Sequence, residues 1–351
     1  MTLAFKARVQ DPSIASHRYR VLTPIRFLSA RGHTAELYDP ARRRRYDTVV
    51  FSKAYKAEDR ALAGRLRAAG QAVVLDLCDD HFYNPRDLPK YRRAREDLLA
   101  MIALSDRVIC STPVLSRSVQ HHAGLLTEPA VAPDVYEQSD AAVRPSPPLD
   151  RPVRLLWFGR HGSPNAPSGM EDLRLIQAPL AQAYAKRPFE LVVCSDSRAA
   201  FEQLTADLPF PVRYADWSPA GLSVELESAD AVVIPLSDNP FVAAKTHNRL
   251  TLALSAGLPV VADPLDAYLE FAPFCWLGDW SGGLEAVLLR PGEARARAAL
   301  ARPYLEAHWS AAAVAPRWEA ALGLDSAGRA GRHPANGLLS SFRNWFAARG
   351  R

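Results

Sequence analysis

Short apolar runs alternate with amphipathic helical patterns along most of this chain, and this alternation restricts its possible folds more than any other feature. In the first half, strand-like runs occur at 47–52 (DTVVFS), 72–77 (AVVLDL), 107–110 (RVIC) and, more weakly, 129–134. A helical pattern at 58–70 separates the first two. Strands and helices that alternate at this spacing form βαβ units with a parallel sheet. We therefore predict an α/β fold.

The alternation stops in a stretch rich in Pro and Ser, SDAAVRPSPPLDRP at 139–152, and then starts again. Beyond it, strands are predicted at 153–159, 189–196, 211–217 and 231–236, and a long helix at 170–187. A chain of 351 residues with 48% hydrophobic content is larger than one compact core usually holds. We predict two Rossmann-like domains at 1–140 and 153–325, a linker at 141–152, and a tail at 326–351.

Composition excludes several classes of protein. The formal net charge is only +5, and the longest basic run, Arg42 to Arg45, is interpreted as a solvated turn, so nucleic acid is not an expected partner. Four cysteines lie far apart without a C-x-x-C pair, which is typical of reduced thiols and argues against a zinc site. Neither a signal-peptide core nor an apolar stretch of spanning length is visible, and we expect a cytoplasmic protein.

The stretch KTHNRLTLALSAGLPVVA, which begins at Lys245, predicts a helix followed by a strand. The helix has two cations at its N-terminus and is expected to end at Gly257. A helix N-terminus already carries partial positive charge, so cations there are favourable only if an anion binds. We predict a phosphate site formed by Lys245 and Arg249, with Thr246 and Asn248 as hydrogen-bond donors. The alternative is a helix end whose charges face water.

A second basic loop, WFGRHGSPNAPSG at 157–169, also follows a predicted strand. Gly159 and Gly162 allow close backbone approach, and Arg160 and His161 offer charge and hydrogen bonds. The loop matches neither the G-x-G-x-x-G fingerprint nor a Walker A sequence, and an ordinary surface loop is the alternative. Together with the Lys245 loop, it predicts two basic loops that hold one diphosphate.

The first half has its own polar residues at predicted strand ends. Asp79, Asp80 and His81 follow the strand at 72–77, where a carboxylate or imidazole could act as a general base or orient a hydroxyl group. A turn or helix cap is the alternative for the aspartates. A second set lies at the start of the first helix, where it suits a phosphate on the donor or on a lipid-linked acceptor, or else is an exposed basic helix end: His17, Arg18 and Arg20.

Several of these segments together resemble GT-B glycosyltransferases, close to the large group-1 (family 4) set. The C-terminal segments are WFGRHGSPN and SADAVVIPLSDNPFVAAKTHNRLTLALSAGLPVVA. The N-terminal ones are SHRYRVLTPIRFLSARGH, AAGQAVVLDLCDDHFYNP and LSDRVICSTPVLSRSV. They follow the family's order over roughly residues 13–265. The resemblance implies two Rossmann-like domains that face each other across a cleft.

In that family the second domain binds a nucleotide-sugar and the first binds the acceptor. The resemblance implies that Arg160 and Lys245 neutralise the donor diphosphate and that Thr246, Asn248 and Arg249 line the pocket. It implies no cofactor, no obligatory metal and retention of anomeric configuration. One departure stands out, because many members carry two glutamates where this chain has Ala244 and Leu252. The glutamate expected to hold the ribose is therefore absent.

The expected function is sugar transfer from a nucleotide-sugar to a glycan, lipid-linked or other acceptor in bacterial surface polysaccharide or glycoconjugate synthesis. Cations around the diphosphate would stabilise the charge that develops on the leaving group. Two alternatives stay open: a sugar-nucleotide epimerase of the same fold, and a non-catalytic partner protein of a glycan assembly complex. A nicotinamide dehydrogenase is not expected, because neither half has the glycine fingerprint.

The tail segment 336–351, NGLLSSFRNWFAARGR, places five large apolar side chains on one helical face. These are Leu338, Leu339, Phe342, Trp345 and Phe346. Such a helix is expected either to dock on the first domain or to lie on the surface of an anionic membrane. We favour docking, because GT-B architecture commonly supplies a surface for a C-terminal helix.

Overall fold

The computed structural model describes residues 1–139 and 151–324. Predictions for the tail at 326–351, and for most of the linker at 141–152, lie outside these residues. The chain forms two compact units. The first comprises Met1–Pro133 together with the segment from Val314 onward, and the second comprises Asp134–Ala313.

The first unit contains a six-stranded parallel sheet with the order β2-β1-β3-β4-β5-β6. Its strands are β1 Thr2–Ala7, β2 Thr34–Leu37, β3 Thr48–Ser52, β4 Ala72–Leu77, β5 Arg107–Cys110 and β6 Ala130–Val131. Its helices are α1 Ala15–His17, which continues through a π-helical turn at Arg18–Leu22 into α2 Thr23–Ala30, then α3 Ala57–Ala68, α4 Pro89–Leu104 and α5 Pro113–Ala123. A 3-10 turn covers Pro40–Arg45. The predicted strands at 72–77 and 107–110 are thus confirmed at their stated bounds.

The burial of the central strands explains the continuous apolar runs in the sequence. Every residue of β3 is buried, as is nearly every residue of β4. Strands of a parallel sheet are covered on both faces and therefore appear as continuous apolar runs. Asp76 is the charged exception within β4 and is completely buried.

The second unit is also built on a six-stranded parallel sheet, with the order β12-β11-β10-β7-β8-β9. Its strands are β7 Val153–Phe158, β8 Phe189–Ser195, β9 Val212–Asp216, β10 Ala231–Ile234, β11 Val260–Ala262 and β12 Trp276–Leu277. Its helices are α6 Gln177–Lys186, α7 Arg198–Thr205, α8 Pro219–Ser228, α9 Pro240–Ala243, α10 Asn248–Ser255, α11 Trp280–Leu289, α12 Pro291–Ala299 and α13 Ala301–Trp309. This strand order is that of a dinucleotide-binding Rossmann sheet, and the connections reverse direction between β7 and β10.

Two predicted helices differ in detail. The helix predicted at 170–187 is a 3-10 segment, Gly169–Ile176, followed by α6. The helix predicted from Lys245 begins only at Asn248, so Lys245 and Thr246 lie in the connection between α9 and α10. Its predicted end is confirmed, because Gly257 has φ +70° and the Leu258 amide donates to the Ala253 carbonyl at 3.1 Å.

After α13 the chain returns to the first unit through α14 Ala311–Leu322. Trp318 of this helix is completely buried, and its indole N–H donates to the Pro133 carbonyl at 2.9 Å. Glu319 accepts from Arg31 at 2.8 Å and pairs with His33 at 3.0 Å. Residues 314–324, which the sequence assigns to the second domain, therefore complete the first unit.

Within the described ranges, no helix has both the length and the apolar character required to cross a bilayer. The same ranges contain no group of three or more His, Cys, Asp or Glu side chains arranged to bind a metal ion. All four cysteines are free thiols.

Candidate functional sites

The reversal of strand order in the second unit marks one candidate site. In open parallel sheets, ligands bind beyond the carboxyl ends of the strands, at the point where connections change direction. Here those strands are β7 and β10, and the loops that follow them begin at Gly159 and Pro235. The first basic segment forms the loop after β7, and the second follows the short helix α9, which separates it from the loop after β10.

Contacts in the second unit bring the two segments together. A Cβ atom placed on Gly159 would lie 3.5 Å from Nη1 of Arg249 and 3.2 Å from the Trp157 ring, so glycine permits a close approach. Gly169 has φ +88°, and a Cβ there would meet the Arg160 carbonyl oxygen at 2.5 Å. The loop after β7 is therefore tightly folded, with Arg249 against its first residue.

Buried polar contacts fix this loop against the loop after β10. Asp172 is almost completely buried; it accepts from the Gly169 amide at 3.0 Å and from the Ser237 hydroxyl. Asn239 donates to the Pro167 carbonyl at 2.9 Å. Burial raises the pKa of Asp172, although these hydrogen bonds and the charge of Arg249 act in the opposite direction. The result is a preformed rim around the switch point.

Arg160 and His161 share one acidic partner, Asp196, which follows β8. The Asp196 carboxylate accepts from the His161 amide at 2.8 Å and lies 2.9 Å from its Nδ1 and 3.2 Å from Nη2 of Arg160. Partial burial alone would raise the pKa of Asp196, but the His161 amide, its ring and the Arg160 charge hold it below the usual value. The Arg160 side chain remains 76% exposed, so its guanidinium is accessible to a ligand.

The residues between Lys245 and Arg249 have divergent environments. Lys245 is half-buried with its ammonium 4.0 Å from the centre of the Phe241 ring, and Thr246 is also half-buried. His247 is buried against Trp309 and Phe271, and burial lowers its pKa to about 4 although Asp134 opposes the shift. Asn248 donates to Asp134 at 2.7 Å. Arg249 hydrogen-bonds Tyr268.

In the first unit, Asp79 and His81 belong to a polar cluster at the carboxyl ends of β3 and β4. Asp79 forms an ion pair with Lys53, and Nδ1 of His81 lies 2.6 Å from the Tyr55 hydroxyl. Burial alone would lower the pKa of Lys53, but the Asp79 carboxylate raises it above its ordinary value. The cluster thus places a carboxylate that pairs with a lysine near an imidazole that contacts a tyrosine hydroxyl.

Asp80 has a different environment from its neighbour. It is 2% exposed, and its carboxylate accepts from the Phe82 amide at 2.9 Å and from the Ser118 hydroxyl at 2.6 Å. These contacts hold the turn after β4, which is the alternative that the sequence left open. Of the two aspartates, Asp79 is the better placed to meet a ligand.

Of the three predicted phosphate-binding residues near the first helix, His17 and Arg20 are buried and Arg18 is half-buried. Arg20 is completely buried; it forms an ion pair with Asp76, donates to the Ala132 carbonyl at 2.7 Å and stacks on Trp318. A phosphate could reach Arg20 only if this pair opened. Arg18 donates to the Pro12 and Ser13 carbonyls. His17 is 4% exposed, and among the described residues neither ring nitrogen has a hydrogen-bond partner.

Sequence reasoning missed four residues of these sites: Lys53, Tyr55, Asp172 and Asp196. Three of them follow strands at the carboxyl edge of a sheet, which is a signal that the sequence did carry. Asp172 lies just after the predicted loop, and its partner Ser237 is 65 positions away, so spacing alone could not identify it.

No family model matches the sequence, and no curated protein is significantly similar to it. Solved structures are similar in fold. Anabaena Alr3699/HepE in complex with UDP and glucose matches 92% of this chain and 99% of its own, with a TM-score of 0.65 and 13% identity. WaaB, a lipopolysaccharide outer core galactosyltransferase, matches 92% and 99% with a TM-score of 0.59 and 14% identity. AviGT4, a glycosyltransferase of avilamycin A biosynthesis, matches 92% and 96% with a TM-score of 0.51 and 15% identity. The chain therefore has the fold of GT-B glycosyltransferases, built from two Rossmann-like domains.

Proposed function

We propose that this protein is a glycosyltransferase that takes a sugar from a nucleotide-sugar donor bound to the second unit. The observation that carries the proposal is the meeting of two basic loops at the β7–β10 switch point, with Gly159 against Arg249 and an exposed Arg160 beside them. A diphosphate fits such a rim, because phosphate binding requires positive charge and close backbone approach. Neighbours of the same fold hold UDP or act as glycosyltransferases, which supports this ligand class.

Catalysis at this site would be electrostatic. As the glycosidic bond breaks, negative charge accumulates on the diphosphate, and Arg160, Lys245 and Arg249 stabilise it there. Protein cations thus take the role that a metal ion has in other transferases, so we propose that no metal is required. Transfer that continues at full rate in excess EDTA supports this, and transfer that stops and recovers with Mg²⁺ contradicts it.

We assign the acceptor to the first unit, beside the cluster of Asp79, His81, Lys53 and Tyr55. An acceptor hydroxyl gives up its proton during transfer, and a carboxylate or imidazole within hydrogen-bond reach accelerates this step. Asp79 is proposed as the group that orients or deprotonates that hydroxyl, with His81 as the second candidate. The acceptor class is proposed as a glycan or lipid-linked glycan, in line with the description of WaaB as a lipopolysaccharide outer core galactosyltransferase.

The test is a panel of nucleotide-sugars incubated with the full chain, with and without a lipid-linked or oligosaccharide acceptor mixture, followed by nucleoside diphosphate release. Release that depends on the acceptor supports a transferase, and NMR of the product shows whether the anomeric configuration is retained, as we propose. Donor turnover without acceptor would instead indicate an epimerase. If the chain neither binds nor consumes any donor, the proposal is overturned in favour of a non-catalytic partner protein.

A further inference from the structure

We propose that Asp196 recognises the ribose hydroxyls of the donor, which makes the second unit selective for ribonucleotides. This inference rests on the proposed function, because it assigns the group next to the diphosphate. It concerns a residue that follows β8, outside both basic segments that the sequence singled out.

The placement of the diphosphate determines where the ribose can lie. If the phosphates occupy the β7–β10 switch point, the nucleoside extends along the sheet edge over either β8 or β11. On the β11 side, the carboxylate of Asp263 is already used by the fold, since one oxygen accepts from the Leu236 amide at 2.9 Å and the other from Trp280 Nε1 at 2.7 Å. The β8 side carries Asp196.

The Asp196 carboxylate can accept a further hydrogen bond from a ligand. Its Oδ1 takes both His161 contacts, at 2.8 and 2.9 Å, while Oδ2 has the Arg160 guanidinium at 3.2 Å. A carboxylate oxygen has two lone-pair sites, so Oδ2 can accept from one further donor. The Asp196 side chain is 31% exposed, which gives a ligand access to it.

The groups around Asp196 are suited to bind a ribose that carries a diphosphate. Arg160 is the proposed phosphate ligand, and the same guanidinium touches Asp196, so a bound phosphate and this carboxylate lie on adjacent sides of one side chain. Ribose is bonded directly to the α-phosphate and presents two hydroxyl donors. In Rossmann sheets, an acidic residue beyond the second strand commonly accepts from ribose hydroxyls, and β8 is the second strand of this unit.

The test compares UDP with 2′,3′-dideoxyuridine diphosphate by calorimetric titration of the full chain. GDP and its dideoxy analogue serve as a second pair. A hydrogen bond to a charged acceptor should give about 10- to 100-fold tighter binding of the ribonucleotide. Asp196→Asn should remove most of that preference, and Asp216→Asn, which alters an exposed aspartate at the end of β9, should preserve it.

The outcomes separate this inference from the proposed function. If Asp196 only organises the loop through Arg160 and His161, Asp196→Asn weakens both members of a pair by the same factor and the inference is overturned. Equal affinities of the wild type for both members also overturn it, while leaving the proposed function intact. If no nucleoside diphosphate binds, the proposed function itself fails.

Discussion

The buried ion pair between Arg20 and Asp76 gives the sharpest prediction for the fold. Asp76→Asn keeps the shape of the side chain but removes its charge, so the completely buried Arg20 loses the carboxylate with which it forms an ion pair. The Asp76 carboxylate accepts hydrogen bonds from Nε of Arg20 at 3.2 Å and from the Ser52 hydroxyl at 3.0 Å. The substitution therefore affects the hydrogen bonds of both partners.

Breaking one side of a buried pair costs about 3–5 kcal/mol of unfolding free energy. The upper part of that range is expected here, because neither side chain has any exposed surface. For a unit of this size, that loss lowers the melting temperature by roughly 6–20 °C. Because the pair lies in the first unit, the affinity of the second unit for nucleotides should not change.

Differential scanning calorimetry with UDP titration at low temperature checks both expectations. The matched control is the double variant Arg20→Met with Asp76→Leu, which removes both charges together and should cost far less than the single variant. An Asp76→Asn variant that loses less than about 1 kcal/mol would refute the reasoning. A stable Arg20→Met variant with reduced sugar transfer would instead restore Arg20 as a phosphate ligand.

Three further predictions concern the sites. Asp79→Asn should lower sugar transfer at saturating donor but leave nucleotide affinity unchanged, and a collapse of nucleotide affinity would contradict its assignment to the acceptor side. Gly169→Ala should weaken nucleotide binding, since φ is +88° and the added Cβ would collide with the Arg160 carbonyl, whereas Gly64→Ala, where a Cβ meets no atom within 4 Å, should not. His247 has a pKa of about 4 in the fold and 6.5 as a free side chain, so the unfolded state binds more protons between these values. Stability should therefore fall as pH drops from 6.5 towards 4, by up to about 1.4 kcal/mol per pH unit, and His247→Gln should remove this part of the slope measured by denaturant titration.

The sequence was sufficient for the architecture because apolar runs such as 72–77 are buried on both faces of a parallel sheet, which leaves a local pattern. The helix end at Gly257 could be predicted for the same reason, since a helix C-terminus depends on residues that are adjacent in the sequence. The buried environment of Arg20 could not be predicted from the sequence. Its partners Asp76, Ala132 and Trp318 are distant along the chain, and no local pattern distinguishes this arginine from an exposed one.

The same distinction applies to the sites. The basic loops could be placed at one sheet edge from strand order alone, because loops after parallel strands share an edge. Residue spacing could not show which cations already form ion pairs with carboxylates of the protein. Arg160 meets Asp196, which is 36 positions away, and Lys53 meets Asp79, which is 26 positions away. Such pairs depend on how the loops fold.

The central claim is that the β7–β10 switch point binds the diphosphate of a nucleotide-sugar, and calorimetric titration of the full chain with UDP and GDP tests it most directly. We predict that at least one of them binds, that Lys245→Ala and Arg160→Ala each weaken binding at least tenfold and lower turnover about 100-fold, and that Arg174→Ala, in the 3-10 segment beyond the loop, has no effect. Binding of equal strength in the wild type, Lys245→Ala and Arg160→Ala would contradict the account.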